Sequence, residues 1–152
     1  MTTQLLIVYH SQSGHTEQMA QAVAQGAAEV DELQLRVLQA SEAGLDDLLW
    51  CDGLIIGTPE NFGYMSGAIK DFFDRTYYPA QNKFHNKPYA LFVSCGNDGS
   101  GAVSSIQRIA KGYPLKPVVA PLICKGELDA NALMACHELG MTMAAGLSLG
   151  IY

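Results

Sequence analysis

Residues 8–20 read VYHSQSGHTEQMA. An apolar strand pattern runs into Ser11, Gln12, Ser13, Gly14, His15 and Thr16, and then into a helical pattern. None of these turn residues suits a core, and none is Lys or Arg. A turn that opens a helix leaves the backbone N–H groups of Ser13 through Thr16 facing outward, with the helix dipole behind them. Hydroxyls from Ser11, Ser13 and Thr16 add donors, Gly14 lets the backbone approach closely, and His15 can supply one more. Such a cradle holds a phosphate with dipoles instead of charges. The plainer alternative is a helix cap at Ser13 or Thr16 with nothing bound. A Walker-type loop needs a Lys that is missing here, and no G-x-G-x-x-G fingerprint is present.

Two further segments have chemistry to offer. Thr58-Pro59-Glu60-Asn61-Phe62-Gly63-Tyr64-Met65 combines a rigid Pro, polar edge readers (Glu60, Asn61), aromatics (Phe62, Tyr64) and a Gly that leaves room for a flat ligand. A planar heterocycle wants such a wall, because it offers stacking area beside backbone donors and acceptors. The alternative is that Phe62 and Tyr64 pack on the helix that follows. Ser94-Cys95-Gly96-Asn97-Asp98-Gly99, continuing into Ser100-Gly101, has little side-chain bulk and can pass close to a ring. Its alternative is a flexible turn with Ser100 as a helix cap.

These three segments need elements that bring them to one place. Leu5 to Tyr9, Gly53 to Ile56 and Tyr89 to Val93 are continuous apolar runs, as expected of strands covered on both faces. Leu33, Leu35 and Val37 alternate with Gln34, Arg36 and Leu38 and suggest an edge strand. Val118 to Cys124 reads as the last strand; its Pro121 cannot donate to a ladder, which places it at an edge or a bulge. Helix faces are marked by Met19, Val23, Ala27 and Val30, by Ile69, Phe72, Phe73, Thr76 and Tyr77, by Ala102, Val103, Ile106, Ile109 and Ala110, and by Leu133, Cys136, Met143 and Leu147. A weak helical signal ends near Trp50. The alternation β-α repeated five times predicts an α/β fold: a doubly wound, five-stranded parallel sheet with helices on both faces and right-handed crossovers. In such a sheet ligands bind beyond the carboxyl ends of the strands, where all three segments lie.

Length and composition limit the alternatives. A chain of 152 residues with 49% hydrophobic and 16% charged residues suits one globular domain, 1–152, with a substantial core. A net charge of −6 and the lack of a basic stretch argue against a nucleic-acid partner. No apolar run approaches the ~20 residues of a membrane span, and the first ten residues read as a strand, not a leader. Cys51, Cys95, Cys124 and Cys136 form no C-x-x-C pair and no zinc spacing, so free thiols in a reducing cytoplasm are expected. His10, His85 and His137 show no partner in the sequence, and no residue is assigned as a catalytic acid, base or metal ligand.

With these residues in view, the chain resembles the flavodoxin-like superfamily. SQSGHT looks like its FMN phosphate loop, and GTPENFGYMSGAIKDFFDR is closer still to the FMN-dependent NAD(P)H:quinone oxidoreductases of the tryptophan-repressor-binding-protein type. The resemblance implies strand order 2-1-3-4-5. It also implies phosphate contacts from residues 11–16, and ring or ribityl contacts from residues 59–64 and 94–99. It implies FMN as cofactor, NAD(P)H as co-substrate, and a quinone or a redox protein as acceptor. A homodimer is compatible with it. The chain departs from the quinone reductases in having Ser13 where an aromatic often stands, and in lacking their longer insert after the fourth strand. It departs from electron-carrier flavodoxins in having no aromatic in residues 94–101 and in being less acidic. The alternative function is therefore a flavodoxin-type carrier without substrate turnover.

Overall fold

Leu5, Leu6, Ile7 and Val8 are completely buried, because the strand they form lies inside the sheet with helices over both faces. The computed structural model describes residues 2–152. Six strands and five helices follow in chain order: β1 (Thr3–Tyr9), α1 (His15–Ala27), β2 (Leu33–Gln39), α2 (Leu45–Trp50), β3 (Gly53–Pro59), α3 (Gly67–Thr76), β4 (Lys87–Cys95), α4 (Ser100–Ala110), β5 (Leu115–Pro117), β6 (Leu122–Lys125) and α5 (Ala130–Ser148). Every pairing is parallel, and the order is β2-β1-β3-β4-β5 with β6 also on β4. The expected fold class and strand order are those observed.

The last strand differs from its expectation. Val118–Cys124 is not one strand: β5 pairs Tyr89 with Pro117, and β6 resumes pairing at Phe92 with Leu122. Four residues of the edge thus lie opposite Ala90 and Leu91 alone. Pro117 and Pro121 bracket this break, and neither has an N–H to give the ladder. Val30, assigned to the first helix face, lies beyond the end of α1 in a turn but still packs on the core.

Alternate residues of each strand feed two cores. Leu6, Val8, Leu54 and Ile56 meet α2, α3 and α4 through Leu48, Ile69, Phe72, Phe73 and Ile106. Leu5, Ile7, Ile55 and Phe92 meet α1 and α5 through Met19, Val23, Cys136, Leu139 and Met143. Each fully buried large side chain stabilises the fold by about 1.5–3 kcal/mol. On the second face α1 and α5 approach at backbone distance: a Cβ on Gly26 would collide with the His137 carbonyl, and one on Gly140 with that of Val23.

This arrangement positions the site. β1 feeds α1 on one face and β3 feeds α3 on the other, so the loops after these neighbouring strands diverge and open a crevice between them.

Candidate functional site

A cavity of about 410 Å³ lies in that crevice, within the usual size of small-molecule sites. Gln12, Ser13 and His15 line it from the first loop; Pro59, Glu60 and Asn61 from the second; Ser94, Cys95 and Gly96 from the third. The structure thus brings together all three segments singled out by sequence. Ser11, Gly14, Thr16, Phe62, Gly63, Tyr64, Asn97, Asp98 and Gly99 are not in the wall itself, although they belong to the same loops.

The first loop is shaped by its own hydroxyl. Ser11 Oγ accepts hydrogen bonds from the Gly14 N–H at 3.1 Å and the Glu17 N–H at 3.2 Å. Ser11, not Ser13 or Thr16, is the side chain that accepts from the first turn of α1; the cap position itself is Gly14. Gly14 takes φ 102, a left-handed conformation that costs a side-chain-bearing residue about 1–2 kcal/mol. Thr16 is 1% exposed and exchanges a 2.7 Å hydrogen bond with Ser94 Oγ, tying the first loop to the end of β4. Among the described residues, the backbone N–H groups of Gln12, Ser13, His15 and Thr16 have no acceptor. Free amides at a helix N-terminus fit a terminal phosphate.

The second and third loops are fastened to each other. Glu60 reaches the start of α4, where Oε1 accepts from Gly99 N–H at 3.3 Å and Oε2 from Gly101 and Ala102 N–H at 3.0 and 3.2 Å. Its own N–H donates to the Ser94 carbonyl at 2.8 Å. Read from the sequence as an edge reader, Glu60 thus has both carboxylate oxygens engaged by the helix, where a negative charge opposes the dipole favourably. A Cβ on Gly101 would collide with the Gly63 carbonyl, so the two backbones touch as well.

Asn61 and Tyr64 exchange backbone hydrogen bonds of 2.9 and 3.0 Å around Phe62 and Gly63, whose φ values are 54 and 68. This is a tight turn with both central residues left-handed. Phe62 does not pack on α3: its relative exposure is 106%. Tyr64 is 42% exposed.

Cys95 is buried, and burial first, then the charges of Glu60 and Asp98, push its thiol above the usual range, against a smaller opposing pull from Lys125. It therefore stays a protonated thiol at neutral pH and offers no nucleophile. Asp98 is held below the ordinary carboxylate value by the Ser100 N–H at 3.0 Å and the Ser100 hydroxyl at 2.9 Å. Ser100 is not the cap of α4; Gly99 stands at that position with φ 75.

A fourth segment borders the cavity, one the sequence reading does not include. Gly126, just past β6, also lines the cavity, and Glu127 Oε2 lies 3.6 Å from His15 Nε2. The available signal was positional: residues 125–127 leave the carboxyl end of the last strand. His137 does have a partner, Glu29, at 2.7 Å, which only the crossing of α1 and α5 provides. His10 sits at the foot of the first loop with a buried Nδ1 that has no partner among the described residues.

A parallel sheet of this order, with a loop-lined cavity at its switch point, defines the flavodoxin-like class. Within it the chain belongs to the NADPH-dependent FMN reductase family, whose pattern matches residues 3–121. A protein called "Flavodoxin" from Aquifex aeolicus is 35% identical over 97 residues, covering 64% of this chain and 52% of its own. An "NAD(P)H dehydrogenase (quinone)" from Acidithiobacillus ferrooxidans is 34% identical over 125 residues, covering 68% and 62%. The chain thus spans only half to three-fifths of these curated relatives. A solved flavodoxin, WrbA-like protein from Agrobacterium tumefaciens superposes with a TM-score of 0.79 at 26% identity, covering 97% of this chain and 99% of that one. A flavodoxin from the domain Archaea gives 0.81 at 23% identity.

Proposed function

We propose that the chain is an FMN-dependent oxidoreductase that passes electrons from NAD(P)H to a quinone or similar acceptor. The observation that carries this reading is the pairing of unsatisfied amides at the start of α1 with a cavity walled by small residues on the far side. A bound flavin would supply the redox chemistry. The amides of Gln12, Ser13, His15 and Thr16 would hold its terminal phosphate. Pro59, Asn61 and the backbone of 94–99 would border its ring, and Glu60 would keep those two walls in register. Residues 94–101 carry no aromatic, so one ring face would stay open for nicotinamide and acceptor in turn. No side chain is given a role as proton donor or acceptor.

Membership of a reductase family and the quinone-reductase relative support the reading. The four cysteines are free, which fits a reducing cytoplasm. No helix among the described residues is long and apolar enough to cross a membrane. A single functional domain over 1–152 and a homodimer are further parts of the proposal. The second reading, an electron carrier, is favoured by the flavodoxin relative.

Steady-state oxidation of NAD(P)H with benzoquinone, after loading with FMN, tests the proposal. Turnover that depends on the quinone is expected. FMN binding with no NAD(P)H oxidation would shift the assignment to a carrier, and recovery of FAD as the sole bound flavin would exclude both readings.

A further inference from the structure

α3 and α4 leave the same edge of the sheet side by side, and a groove runs between them. Its upper part, about 280 Å³, is lined by Gly63, Tyr64, Ser104 and Arg108. Its lower part, about 330 Å³, is lined by Lys70, Asp74, Tyr77 and Tyr78. Arg108 and Ile109 line both parts, which makes them one channel. Asn61 faces the ligand cavity and Gly63 faces the groove, so the tip of one tight turn separates the two.

Arg108 supplies the net charge of this groove. Lys70 and Asp74 pair with each other at 2.7 Å. Arg75, on α3, is held by Asp71 at 2.7 Å and by the Ala40 and Ala43 carbonyls. Among the described residues Arg108 has neither ion pair nor hydrogen bond. On a chain of net charge −6, an unpaired guanidinium beside a groove gives it a local positive charge that favours an anion. Its place in the last turn of α4 favours a cation through the helix dipole, but that explains neither the groove nor the aromatics around it. Tyr78 is 77% exposed at the lower end, edge-on to Tyr77 with centroids 5.3 Å apart. Exposed aromatic faces flanking a free planar fork suit a phosphorylated nucleoside, whose base stacks and whose phosphates accept paired hydrogen bonds.

We propose that this groove binds the adenosine diphosphate half of the dinucleotide co-substrate, with Arg108 on a phosphate and Tyr78 against the base. The inference rests on the NAD(P)H oxidoreductase reading above. Gly101, which touches the turn at the cavity, and Arg108 are separated by about 10 Å along α4, at 1.5 Å per residue. A dinucleotide with its diphosphate on Arg108 would run up the groove toward that turn, with its nicotinamide end nearest the cavity.

The test uses the FMN-loaded protein and ADP as a probe that cannot be oxidised. ADP should bind and shift the amide resonances of Ser104, Arg108 and Tyr78. Arg108→Gln should weaken ADP about 10- to 100-fold, the worth of a charge-assisted contact, with flavin content unchanged. The KM for NAD(P)H should rise by a similar factor. Lys111→Gln removes the same charge from the same helix end, outside the groove wall, and should leave ADP affinity nearly unchanged. Equal ADP affinity in Arg108→Gln, equal loss in both variants, or shifts confined to other residues would overturn the groove. NAD(P)H turnover without ADP binding in the groove removes this inference and leaves the oxidoreductase reading standing. Arg108-dependent ADP binding in a protein that never oxidises NAD(P)H overturns that reading, and with it the assignment of the nucleotide as co-substrate.

Discussion

The loop after β1 and the loops after β3 and β4 border one cavity, yet they satisfy their backbones in opposite ways. The first keeps four amides free at the start of α1. The other two spend an acid, Glu60, on three amides at the start of α4. Two helix N-termini of the same sheet edge thus differ: one keeps amides without an acceptor and one is closed by the protein's own carboxylate. An unfilled amide costs little while water reaches it, but a rigid ring wall has to exist before the ring arrives. Under the proposed FMN reading, the first loop would supply affinity and the other two a preformed shape.

Glu60→Ala should produce the largest effect, because it strips acceptors from three amides at once. A stability loss of about 2–3 kcal/mol is expected from the unpaired donors. Hydrogen exchange should accelerate at Gly99, Gly101 and Ala102 and remain slow in α1. Glu60→Gln, which keeps one acceptor oxygen, should fall between. Uniform loosening of both helix starts would erase the contrast.

Thr16→Val addresses the other side and should cost less. It removes the 2.7 Å hydrogen bond to Ser94 inside a buried pair, worth about 1 kcal/mol with some further penalty for the stranded hydroxyl. Ser11→Ala removes the acceptor for two amides and should cost about 0.5–2 kcal/mol, as a lost cap does. FMN affinity should fall in both variants, whereas in Glu60→Ala the fall should follow the loss of stability. Titration of FMN fluorescence alongside thermal melting separates the two patterns. Unchanged affinity in Ser11→Ala and Thr16→Val would make the first loop a helix start and nothing more.

The same contrast explains what the sequence could reveal. Strand identities were legible because Leu5–Val8 and Leu54–Ile56 are apolar at every position, as burial on both faces demands. The three loops were legible because Gly, Ser and Asn cluster where those runs stop. The partnership of Glu60 with residues 99–102 was not, because it spans some 40 positions and depends on β3 lying beside β4. Ser11 as the acceptor for the first turn was missed for a local reason: Gly14, at the cap position, turns the chain left-handed, which brings a hydroxyl from three residues upstream onto that turn. Gly126 had only a positional signal: it follows the last strand, whose expected end at Cys124 is one residue short of the observed Lys125, and no cluster of Gly, Ser and Asn marks it.

Ser100→Ala should give the smallest effect and isolates the third loop's own acid. Asp98 accepts from both the N–H and the hydroxyl of Ser100, and its carboxyl is held below the ordinary value for that reason first. The folded protein therefore binds this proton less readily than the unfolded chain does. The resulting stabilisation is present above the ordinary carboxylate value of about 3.8 and disappears as pH falls through the lowered folded value. Removing the hydroxyl leaves the N–H in place, so the Asp98 value should rise only part of the way back. Carbon-detected NMR of the Asp98 carboxyl across the acid range reads this directly. Thermal stability at neutral pH should hardly change, since the pair is exposed to solvent. An Asp98 that already titrates like a free carboxylate in the unaltered protein would mean that Glu60 alone holds the third loop, and the difference between the two helix starts would then rest on a single side chain.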